Sequence, residues 1–132
     1  MLPAPLLATD VTKEATLYRD PNCGCCGEHA RYLRQHGYTV RIVPQTDINA
    51  IKRQYGVPER LASCHTTLIG DYVVEGHVPI TAIRKLMKQR PDITGIALPG
   101  MPIGSPGMPG PKEGVFMIYA FSKDGIRVFA TE

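Results

Sequence analysis

The sequence predicts an α/β domain built on a mixed β-sheet with flanking helices. Short runs rich in β-branched and aromatic residues alternate with segments of helical apolar spacing, and Gly or Pro punctuates most of the junctions. The length of 132 residues suffices for one domain with its own core and is too short for two of ordinary size.

Residues 1–14 read as an irregular lead-in, and residues 15–132 as a single domain. Ala15 to Arg19 forms a first strand, ended by Asp20-Pro21. From Gly24 to His36 the pattern is helical: Cys26, Ala30 and Leu33 share one face, and Gly37 sits where a C-terminal cap belongs. Tyr38 to Val43 alternates as a second strand. A helix capped at Thr46 or Asp47 then carries Ile48, Ile51 and Tyr55 on one face and ends at Gly56 and Pro58. After a connector, Glu59 to Ser63, the runs Thr66–Ile69 and Tyr72–Glu75 flank Gly70-Asp71 as a hairpin. Pro79 opens a third helix with Ile80, Ile83 and Met87 on its buried face, and Pro91 stops it. Leu98 to Gly114 is a Pro/Gly/Met-rich loop in which Pro99-Gly100-Met101-Pro102 recurs as Pro106-Gly107-Met108-Pro109. A hairpin of Val115–Phe121 and Ile126–Phe129, turned at Lys123-Asp124-Gly125, closes the chain. Up to the third helix this is the element order of thioredoxin and glutaredoxin; the loop and the hairpin are additions.

Composition excludes several classes. With 43% hydrophobic and 20% charged residues the chain is globular, and no window approaches the ~18 apolar residues of a membrane helix. A net charge of +3 on scattered Lys and Arg, with no basic stripe or aromatic platform, argues against nucleic acid as a partner. Met1 to Ala8 is apolar but lacks the basic segment of a secretory signal, which fits a cytosolic protein or a mature form whose signal has been replaced by a start Met.

The chemistry gathers at Pro21-Asn22-Cys23-Gly24-Cys25-Cys26-Gly27, where three of the four cysteines fall within four residues at the start of a helix. Unpaired backbone N–H groups and the helix dipole favour thiolate there, and thiolate is both nucleophile and metal ligand. The spacing fits a redox pair of Cys23 and Cys26, a structural zinc knuckle, or a site for a thiophilic ion such as Cu(I). Zinc ranks last, because the remaining cysteine, Cys64, is followed directly by His65, and adjacent residues rarely bind one tetrahedral ion together. Four thiolates would leave a single Cu(I) heavily overcompensated in a partly buried site, whereas several Cu(I) ions bridged by sulfur would balance the charge.

The strings C-G-C-C-G at 23–27, S-C-H-T at 63–66, V-E-G-H-V-P at 74–79 and P-G-M-P-x-G-S-P-G-M at 99–108 resemble the CopG-type proteins, a bacterial family of thioredoxin-like metal-binding proteins found with copper-resistance genes and usually exported to the periplasm. The likeness runs from about Thr16 to Met108 and implies a thioredoxin-like fold, copper and a periplasmic location. On it rests the expected ligand set of Cys23, Cys25, Cys26 and Cys64, with His65, His77, Met101 and Met108 as further candidates. The implied partners are copper ions and other periplasmic copper-handling proteins. Aligned on Leu68-Ile69-Gly70, His65 stands where glutaredoxin-like chains keep a cis-proline against the C-x-x-C pair, which opens the thiol face to a metal. His77 also reads as a solvated turn histidine, His29 as a surface residue or a metal contact, and His36 as a favourable charge near a helix C-terminus. Met101 and Met108 read equally as loop packing. The same thiols could pass electrons, so a copper or thiol oxidoreductase is expected beside a binding protein; the rival reading is an enzyme cycling a Cys23–Cys26 disulfide.

Overall fold

The computed structural model describes residues 13–132; the lead-in through residue 12 and the side chain of Cys25 lie outside what it describes. The described chain runs β1 (Glu14–Arg19), α1 (Gly24–Gln35), β2 (Thr39–Pro44), α2 (Ile48–Gln54), a 3₁₀ turn (Glu59–Leu61), β3 (His65–Ile69), β4 (Tyr72–Glu75), α3 (Ile80–Gln89), β5 (Gly95–Ala97), β6 (Met117–Ser122) and β7 (Gly125–Thr131). Among the described residues this is a mixed α/β architecture of three α-helices on one seven-stranded sheet, in the order β2-β1-β3-β4-β5-β6-β7.

The connections explain the pairing. The α1 crossover returns β2 parallel to β1, and α3 returns β5 parallel to β4, whereas the tight turn at Gly70-Asp71 makes β3 and β4 antiparallel. β3 also pairs antiparallel with β1, and β5, β6 and β7 continue antiparallel to the edge. Side chains of α1 and α3, among them Leu33, Ile83 and Leu86, join Leu17, Ile69 and Val74 in the larger core cluster. Val57 and Leu61, which follow α2, pack with Val73, Ala97 and Phe121 in a second.

β5 is a strand that the sequence pattern does not announce. It has only three residues and begins with glycine, so it carries no strand pattern. Gly95 is there for space: a Cβ would lie 2.1 Å from the Val73 carbonyl oxygen, so a side chain would force β5 off β4. The C-terminal hairpin is shifted from its expected bounds. Val115 is exposed and precedes β6, and β7 continues to Thr131.

On α2 the expected apolar face, Ile48, Ile51 and Tyr55, is only half-buried, and Lys52 is the buried residue. Its ammonium reaches the Glu75 carboxylate and donates to Thr66 Oγ1 at 3.0 Å. Glu75 Oε1 accepts from Thr66 Oγ1 (2.6 Å) and Oε2 accepts from the Ser63 amide (2.8 Å). The carboxylate thus braces the residues on both sides of Cys64-His65.

Register assembles the functional end. Arg19 at the end of β1 lies opposite His65 at the start of β3, and Thr66 lies opposite Glu75 at the end of β4. The loop after β1, the approach to β3 and the exit from β4 therefore meet at one end of the sheet, bringing Cys23, Cys26, Cys64, His65 and His77 together.

Candidate metal centre

The loop after β1 is shaped by Asp20, whose carboxylate accepts from the Asn22 amide (2.8 Å) and whose carbonyl accepts from the Cys23 amide (3.0 Å). Cys23 is the N-cap of α1 with extended backbone, so its sulfur stands at the open end, half-buried, while Cys26 one turn on is fully buried. The two form a disulfide. Cys26 Sγ lies 3.7 Å from the Cys64 carbonyl oxygen, and the sulfurs of Cys23, Cys26 and Cys64 all lie within 4.8 Å of one another.

Cys64 belongs to a second group of the same compactness, with His65 and His77. Its Sγ is 3.1 Å from His65 Nδ1 and 3.2 Å from His77 Nε2. Although adjacent in sequence, Cys64 and His65 bring donor atoms to within 3.1 Å of each other, because the entry into β3 turns both side chains to one point. The peptide bond between them is trans, as are all those described.

His77 is not a solvated turn residue. It is fully buried, with Nδ1 2.7 Å from the Pro106 carbonyl oxygen. A carbonyl only accepts, so Nδ1 carries the proton and Nε2 presents a lone pair to Cys64. The Pro/Gly loop supplies that carbonyl because it can lie flat on the histidines: Gly107 has φ +88°, and a Cβ there would stand 3.0 Å from the His29 amide nitrogen and 3.1 Å from His77 Nδ1.

His29, read as a surface residue or a metal contact, is fully buried behind His65. Its Nε2 is 3.1 Å from the Val78 carbonyl oxygen and its Nδ1 3.0 Å from His65 Nε2. Helical spacing held the signal for this position, since His29 follows Cys26 by three and precedes the buried Leu33 by four. Lys52 and Glu75 are further interior polar residues that sequence reasoning missed, and their pairing is purely tertiary. Met101 is 48% exposed and Met108 half-buried, its amide donating to the Ser105 carbonyl (2.9 Å). The side chain of Cys25, an expected ligand, lies outside the described residues. His36 caps α1, with its amide donating to the Leu33 carbonyl.

The three buried histidines, His29, His65 and His77, are pushed toward the neutral form. Burial drives the pKa of His29 down to about 3, and the nearby His77 adds to the drop, against the opposing effect of the hydrogen bond His29 donates to the Val78 carbonyl. Burial likewise holds His65 well below its ordinary value, reinforced by His29, His77, Lys52 and Arg19, and lowers His77. Two imidazole nitrogens and one sulfur therefore face each other within 4.8 Å, a soft donor set that suits a thiophilic cation. The residues fit a thiophilic metal ion.

A family model described as "Protein of unknown function, DUF411" matches residues 61–108, the stretch that carries Cys64, His65, His77, Met101 and Met108. No curated protein matches the chain. Two solved structures, both titled copper resistance protein copG (forms 2 and 1), superpose with a TM-score of 0.83 at 39% identity, covering 90% of this chain and 97% and 96% of theirs, respectively. With that identity sustained over nearly the whole of those relatives, the chain belongs to the CopG family of copper resistance proteins.

Proposed function

We propose that the protein binds several Cu(I) ions in the periplasm as part of copper resistance, through Cys23, Cys25, Cys26, Cys64, His65 and His77, on a single thioredoxin-like domain spanning 15–132. The observation that carries this reading is the position of Cys64 Sγ, which belongs both to the three-sulfur group and to the group with two imidazoles. A thiolate has lone pairs for more than one Cu(I), so a sulfur common to two donor groups is suited to bridging ions. Soft sulfur with neutral imidazole selects Cu(I) over hard cations. Met101 and Met108, on the loop whose Pro106 carbonyl orients His77, are further thioether donors within the proposal. An oxidising compartment suits the Cys23–Cys26 disulfide. The expected partners are copper ions and other copper-handling proteins of that compartment.

The disulfide favours a second activity of the same site. Oxidation of the Cys23 and Cys26 thiolates to a disulfide releases two electrons, enough to reduce two Cu(II) to Cu(I). With a dithiol or disulfide substrate in place of copper, the same pair would make the chain a thiol-disulfide oxidoreductase.

An anaerobic Cu(I) titration against a competing chelator, on reduced and on disulfide-bonded protein, tests the reading. Reduced protein is expected to take up more than one Cu(I), and oxidised protein fewer, since two sulfurs are then bonded to each other. No uptake by reduced protein, together with rapid disulfide exchange, would leave the oxidoreductase reading in its place.

A further inference from the structure

We propose that His29 is a positioning residue, one that touches neither sulfur nor metal but fixes, through its hydrogen bond to His65, which nitrogen of His65 faces Cys64. This rests on the reading of Cys64, His65 and His77 as metal donors and adds a residue outside that set.

The proton positions follow from one backbone group. The Val78 carbonyl can only accept, so His29 Nε2, 3.1 Å away, carries a proton and its Nδ1 a lone pair. That lone pair lies 3.0 Å from His65 Nε2, which must then be the protonated nitrogen of His65. In a neutral ring this leaves His65 Nδ1 bare, 3.1 Å from Cys64 Sγ. Reversing either ring would set two N–H groups or two lone pairs face to face in a site from which water is excluded.

The relay is held rigidly. The His29 ring is fully buried and stacks on Tyr32 at 5.7 Å between centroids, and the Tyr32 hydroxyl accepts from the Ile80 amide at 2.7 Å, tying α1 to the start of α3. Val78 is also the residue next to His77. One short segment therefore carries a donor histidine and, through its carbonyl and His29, sets the donor nitrogen of the other. Partners that orient a ligating histidine typically account for 10–100-fold in metal affinity.

The test is long-range ¹H–¹⁵N NMR of the imidazole nitrogens in reduced, metal-free protein, joined to Cu(I) affinity. In the unmodified protein His29 and His65 are both expected as Nε2–H tautomers and His77 as Nδ1–H. Finding His65 protonated at Nδ1 overturns the proposal without recourse to any variant. His29→Leu removes the acceptor, so the His65 resonances are expected to move toward a mixture of tautomers and Cu(I) affinity to fall about 10–100-fold. His29→Gln, whose amide can donate to Val78 and accept from His65, should restore both. A folded His29→Leu protein with His65 still Nε2–H and unchanged affinity contradicts the proposal, and so does a His29→Gln protein that has lost the Nε2–H tautomer, should the leucine variant not fold. The expected tautomers in a protein that takes up no Cu(I) would sink the copper reading and leave the proton arrangement standing.

Discussion

Two buried polar clusters flank the entry to β3, on opposite faces of the sheet because His65 and Thr66 are successive strand residues. Around Glu75 every group is answered: both carboxylate oxygens accept, Lys52 is paired, and Thr66 both accepts and donates. Around Cys64 the grouping is of another kind: two imidazole nitrogens, His65 Nδ1 and His77 Nε2, converge on one sulfur. A closed, ion-paired network holds the chain in place, while a convergent set of soft donors suits a thiophilic cation. The two act on the same residues, since Glu75 holds Ser63 and Thr66 on either side of the donors that the other cluster presents.

The largest effect expected from this contrast is acid sensitivity of the histidine cluster. The folded-state pKa values of His29, His65 and His77 lie below the unfolded value, that of His29 at about 3, so below about pH 6.5 the unfolded chain binds more protons. Stability is therefore complete above about pH 6.5 and is lost as pH falls, by roughly 1.4 kcal/mol per pH unit for each histidine that stays neutral in the fold. Urea denaturation of metal-free protein across that range measures the slope, and a flat profile would mean that the rings are not held neutral.

Next is the satisfied cluster. Glu75→Leu strands the Lys52 ammonium and is expected to cost about 3–5 kcal/mol in chemical denaturation. Adding Lys52→Met should recover most of that loss, because an apolar pair can replace a buried ion pair. Failure to recover would show that Glu75 acts mainly through Ser63 and Thr66.

Cys64→Ser should show the opposite profile, with lower Cu(I) stoichiometry and a stability change within about 1 kcal/mol, because a hydroxyl can still serve one imine nitrogen. A large loss of stability with unchanged copper uptake would assign Cys64 to the scaffold. The smallest effect is expected at Gly107→Ala, about 1 kcal/mol from the positive φ and the contact with His29, with weaker Cu(I) binding as Pro106 shifts off His77.

The sulfur half of the centre was legible in the sequence because it is local: a strand, a turn and a helix start place Cys23 and Cys26 from spacing alone. Cys64 and His65 were legible through their place in the strand order. His77 was named, but its burial depends on Pro106, which comes from a loop whose path periodicity does not report. His29 is undecided from the sequence, because a histidine beside a buried helical face is equally at home in water until the facing strand is known. Lys52 sat on a helix whose apolar stripe pointed elsewhere, and β5 was too short to carry a pattern; both exist only through contacts distant in sequence.

The central claim is that sulfur and imidazole meet on the same copper through Cys64. X-ray absorption of the reduced protein loaded with Cu(I) tests it most directly. The account predicts sulfur-dominated neighbours together with an imidazole contribution, and loss of that mixed signature in Cys64→Ser. A spectrum with only nitrogen and oxygen neighbours, or one unchanged by Cys64→Ser, would contradict it.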